Sequence, residues 1–85
     1  MSFKDDVQKE LSEFKAWAAE MNMQARLAKS NLQAEARTAW MEAEQNIAKL
    51  EAKLDKLGDT VDHNVQGTVD QLKASYKKLR ATIKD

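Results

Sequence analysis

Apolar residues recur along this chain at spacings of 3, 4 and 4, an eleven-residue period. The series begins Phe14, Trp17, Met21, passes through Ala25, Ala28, Leu32 and Ala36, Ala39, Ala43, and continues with Ile47, Leu50, Leu54. Beyond Gly58 it resumes at Val61, Val65, Val69, Leu72 and Tyr76, and it ends at Arg80 and Ile83. Only Gly58 and Arg80 occupy the pattern without being apolar. Eleven residues over three turns is ~3.67 per turn, close to the period of a straight α-helix. The stripe therefore stays on one face without the left-handed supercoil that a strict heptad imposes. A chain patterned in this way is committed to amphipathic helices.

Residue usage agrees. Proline is absent, glycine occurs only at 58 and 67, and 13 alanines accompany abundant Glu, Lys, Gln and Leu. These residues lose least on entering a helix, whereas aromatics at 6% and few β-branched residues before Val61 leave no strand signal. The expected class is all-α, and 85 residues form one domain.

A second stripe adds a constraint. At about 100° per residue, Ala16, Met23, Leu27, Ala34, Met41, Ala48 and Ala52 lie opposite the first. Past Gly58 that opposite face turns polar, with Asp59, His63, Gln66, Asp70, Lys77 and Lys84. A helix apolar on two sides needs cover on two sides.

The strongest interruption is Leu57-Gly58-Asp59-Thr60, where glycine can adopt the left-handed conformation that ends a helix and Lys53 and Lys56 suit its negative end. Asp59 or Thr60 can cap the next helix. The expected architecture is a helix over about 4–57, ~80 Å long at 1.5 Å per residue, a turn at 58–59, and a shorter antiparallel helix over about 60–84. In that hairpin the first stripe of residues 32–57 packs on Val61, Val65, Val69, Leu72, Tyr76 and Leu79. Residues 3–30 are left without cover, and a second copy is the simplest partner. Phe14, Trp17, Met21, Met23, Leu27, Ala34 and Met41 are the candidate interface. Two other layouts fit the pattern. A capping box at Ser30-Asn31-Leu32-Gln33 allows a three-helix bundle, and the unbroken phase of the repeat allows one continuous helix.

Little in the chain suggests chemistry. With no cysteine there is no disulfide, thiolate ligand or thiol nucleophile. His63 has Asp59 and Asp62 near it in sequence but no further strong ligand at helical spacing, so it reads as a polar residue beside a turn. Acidic pairs such as Glu10 with Glu13 lack the Glu-x-x-His motifs of helical di-iron sites. Nucleophile motifs and glycine-rich phosphate loops are absent. The expectation is no enzymatic activity, no cofactor and no metal.

Charge is balanced, 14 basic against 14 acidic residues, which argues against a nucleic-acid partner. Lys73, Lys77, Lys78, Arg80 and Lys84 make the last helix locally basic, a feature suited to a helix C-terminus or to an anionic surface. No apolar run approaches a membrane span, and the opening Met1-Ser2-Phe3-Lys4-Asp5-Asp6 does not read as a secretory signal, so the expected location is cytoplasmic.

Trp17 with Glu20, then Ala34-Glu35-Ala36-Arg37, then Ile47-Ala48-Lys49-Leu50 lead to the Gly58-Asp59 turn, Gly67 and a terminal amphipathic helix. This order resembles a family of small bacterial coiled-coil proteins, some of them associated with stress response in cyanobacteria. The resemblance implies a non-enzymatic helical protein and no site residues. The expected function is thus that of a structural or interaction protein that self-associates as a dimer through amphipathic helices, with room for an unidentified protein partner. The alternative is an amphipathic binder of lipid surfaces. Against it, acids and bases alternate along the polar face, where interfacial helices carry Lys and Arg.

Overall fold

Ser2 opens the first helix. Its hydroxyl oxygen accepts the backbone N–H of Asp5 at 3.1 Å, and Asp5 and Asp6 place negative charge on the first turn. In the computed structural model, which describes residues 2–29 and 33–83, α1 runs Phe3–Glu20, α2 Met23–Ala28, α3 Ala34–Lys53 and α4 His63–Thr82, with a 3-10 turn at Leu54–Lys56 closing α3. No strand occurs among the described residues. The molecule is all-helical, 41 Å long and 20 Å across.

The single helix expected over 4–57 is not formed. It ends first at Met21–Asn22 and is interrupted again before Ala34. Asn22 lies in the left-handed region at φ 55° and ψ 48°, the one non-glycine residue at positive φ among those described. Asparagine tolerates this conformation better than most residues, and after glycine it is the usual choice just past a helix end. The N–H of Asn22 donates to the Ala19 carbonyl at 3.1 Å, tightening the last turn of α1. The free carbonyl of Met21 accepts Nε of Arg26 at 2.8 Å. The capping box at Ser30-Asn31-Leu32 lies outside the described residues.

Burial explains why the break wins over continuity. In a straight helix, Phe3, Val7, Leu11 and Phe14 face water. Laying α1 and α2 back along α3 instead buries them, together with Met23. Each is worth about 1.5–3 kcal/mol, against roughly 1–2 kcal/mol for one residue in the left-handed region. The apolar side chains of α1 and α2 therefore find cover within the chain, contrary to the expectation that a partner must supply it. α1 runs antiparallel to α3, with Lys15 Nζ 3.5 Å from Glu51 Oε2 and the Lys4 N–H donating to the Gly58 carbonyl at 3.1 Å. It runs parallel to α4, where Lys73 Nζ is 3.7 Å from Glu10 Oε1. One core joins these three helices, and Ala36, Ala39, Ala43, Leu50, Val65, Val69, Leu72 and Leu79 complete it.

The interruption near Gly58 falls where the sequence places it but differs in detail. No glycine among the described residues has positive φ, so Gly58 does not act as a left-handed terminator. The chain leaves the 3-10 turn through Leu57 in extended conformation. The next helix starts at His63 rather than near 60, because Asp62 and not Asp59 or Thr60 caps it. Asp62 Oδ1 accepts the N–H groups of Asn64 at 3.0 Å and Val65 at 3.2 Å. Val61 thereby drops out of the expected core and stands 49% exposed.

Candidate interaction surface

Four rings from three helices meet at the middle of the bundle. Phe14 stacks on Trp40 at 5.6 Å between centroids and meets Tyr76 edge-on at 5.6 Å. Trp17 lies 6.1 Å from Phe14 and 5.3 Å from Tyr76 in a T-shaped contact. Arg80 covers the outer side of Tyr76, its guanidinium carbon 5.4 Å from the ring centroid. The sequence places Trp17 and Trp40 in helix seams. What the periodicity does not show is that the seams converge on Phe14.

Beside this node, α1 and α3 leave a groove of about 480 Å³ whose walls include Phe14, Ala18, Met23, Trp40, Ile47 and Ala48. Alanines on the facing turns keep the two helices from filling the space between them. Lys15 and Glu51, paired across the groove, and Glu44 give it a charged rim. Such a concavity can take an apolar side chain or a small apolar molecule, with the Lys15–Glu51 pair at its rim. Ala18, Ile47 and the rim residues are absent from the sequence-derived interface. Ile47 is a slot of the apolar repeat, and the only signal for Ala18 is the alanine enrichment of the helix, which looks the same in any helix.

The seven candidate interface residues separate into three groups. Phe14 and Met23, each 1% exposed, are spent inside the chain and cannot meet a partner while it stays folded. Trp17, Met21 and Leu27 are half-buried against the core. Ala34 and Met41 face outward on α3, Met41 61% exposed. The second stripe is thus divided between α2 and α3. Its early part turns inward with α2, and its later part, Ala34, Met41, Ala48 and Ala52, remains in water. Arg37 anchors this face by donating from Nη2 to the Leu27 carbonyl at 3.2 Å.

His63 is exposed on the first turn of α4, next to its Asp62 cap. Among the described residues, no group of three or more His, Cys, Asp or Glu is placed to hold a metal ion. Of the basic residues late in the chain, Lys73 is engaged with Glu10 and Arg80 with Tyr76, while Lys77 and Lys78 are exposed. No helix among the described residues is long and apolar enough to cross a membrane.

Fold and surface together define a small all-helical bundle with an open apolar groove and one exposed apolar helix face. No protein-family model, curated protein or solved structure matches the chain.

Proposed function

We propose that this chain is a non-enzymatic helical interaction protein that associates with a second copy of itself. The observation that carries the reading is the outer face of α3, where Met41 stands 61% exposed between Ala34 and Ala48. Burying a methionine is worth about 1.5–3 kcal/mol, and a two-fold axis counts it twice. Charge order supports a self-partner. Arg37 and Glu44 share one edge of that face, so an antiparallel copy centred on Met41 sets each Arg37 against the partner's Glu44. Enzymatic work is left out because the chain has no cysteine, one histidine and no nucleophile or phosphate-loop motif. The family resemblance adds a stress-linked setting to the proposal.

The test is the mass in solution of wild type and Met41→Glu, with and without anionic vesicles. Wild type should dimerise at micromolar to millimolar concentration, and the variant should stay monomeric with its helix content intact. A wild type that is monomeric throughout that range refutes self-association. Comigration with vesicles in place of dimerisation favours the lipid-surface alternative.

A further inference from the structure

α3 and α4 are both patterned to bury an apolar seam, and each carries one polar residue inside it. Ala39, Ala43, Asn46 and Leu50 follow at spacings of 4, 3 and 4, and Ser75 falls three residues after Leu72 and four before Leu79. Asn46 and Ser75 are each 5% exposed, the only buried polar residues among those described. Burying an amide or a hydroxyl is unfavourable unless it gains a hydrogen bond, and neither side chain makes one among the described residues. An asparagine that fixes helix register does so by bonding across the seam; Asn46 does not. The Thr68 and Thr82 hydroxyls donate to the carbonyls of Asn64 and Lys78, one turn earlier on α4, and Ser75 makes no such bond. We propose that Asn46 and Ser75 form the floor of a binding site for a small oxyanion of the phosphate type.

Three observations carry it. First, the unpartnered atoms open outward. No side-chain nitrogen or oxygen among the described residues is sealed from solvent without a partner. Asn46 and Ser75 have no partner, so their polar atoms reach solvent, and both line a groove of about 540 Å³ along the α3–α4 seam. That volume suits a small molecule. Second, the rim carries uncommitted charge. Glu42 and Lys78 stand at one end of the groove, Lys49 and Gln71 at the other. Lys49, Lys78 and Glu42 join no ion pair among the described residues, which leaves two ammonium groups against one carboxylate in a chain of zero net charge. Third, the donors match the ligand. Lysine binds phosphate as a point charge, while the Asn46 amide and the Ser75 hydroxyl can donate to its oxygens. Glu42 repels an anion at the Lys78 end, so the negative charge belongs nearer Lys49. Ala74 is the one apolar residue lining the groove, which leaves no track for an acyl chain and favours a free anion over a lipid headgroup. The site does not include Met41, and it goes beyond self-association.

The experiment is a titration of the isotope-labelled full chain with inorganic phosphate, and with sodium chloride at matched ionic strength, followed by NMR. The Asn46 side-chain amide and the Ser75 N–H should shift saturably with phosphate and not with chloride. Lys49→Gln, an exposed change that leaves the fold alone, should weaken binding about tenfold or more. Glu42→Gln should tighten it. Asn46→Leu should abolish the shifts with its urea midpoint kept or raised, because an apolar side chain suits the seam better than an unpaired amide. The absence of a phosphate-specific shift at Asn46 and Ser75 overturns the site, as does binding that survives both Lys49→Gln and Asn46→Leu unchanged. Shifts with vesicles bearing phosphate headgroups, and none with free phosphate, overturn the free anion as ligand.

Discussion

Phe14 touches a ring on each of the other two long helices, and its burial is nearly complete. Removing it takes away the transfer free energy of the ring and leaves a hole that Trp40, Tyr76 and Trp17 cannot all close. Large-to-small changes of this kind cost about 3–5 kcal/mol. A domain of this length has a total stability of roughly 4–13 kcal/mol at 0.05–0.15 kcal/mol per residue. Phe14→Ala should therefore remove a large part of the stability, read as a fall in the urea midpoint. Phe14→Leu, which retains most of the apolar volume, should lose distinctly less. Equal losses for the two variants would mean that the ring cluster contributes nothing beyond bulk burial. The site belongs to the core, and no change there reports on self-association independently of folding.

Helices record the same competition one level up. The all-helical class, the interruption after Lys56 and the partners of the last helix are legible in the sequence, because they depend on composition and on an apolar period that any helix must bury. The break at Asn22 is not legible. Local propensity and the unbroken repeat both favour continuity through residues 21–33, whereas burying Phe3, Val7, Leu11 and Phe14 requires contacts with residues distant in sequence. The groove between α1 and α3 is hidden for the same reason, since it exists only once α1 folds back. Gly58 illustrates a further limit: glycine marks the turn correctly, yet it works there without positive φ. Gly67 sits in the interior of α4, and a Cβ added to it meets nothing within 4 Å. Alanine in a helix interior is favoured over glycine by roughly 0.5–1 kcal/mol. Gly67→Ala should raise the melting temperature by about 2–8 °C, as followed by circular dichroism. An unchanged or lowered midpoint would show that this position serves a contact with something outside the chain.

Shape in solution separates the architectures that the repeat allows. Three helices of similar length folded side by side give a Cα radius of gyration of 13.4 Å. The value expected for a compact chain of this length is about 12 Å, so the bundle is only slightly elongated. A hairpin built on an unbroken first helix is a rod of ~80 Å, with a radius of gyration near ~23 Å. Small-angle X-ray scattering across a dilution series distinguishes the two. The dilute limit should give a radius of gyration of about 14–16 Å once hydration is included, and a maximum dimension close to the 41 Å axis of the bundle. A dilute-limit value above ~20 Å, set by 1.5 Å rise over an uninterrupted helix, would mean that continuity prevails over burial in solution. The balance between helix continuity and burial would then be the reverse of the one that packs α1 on α3 and α4.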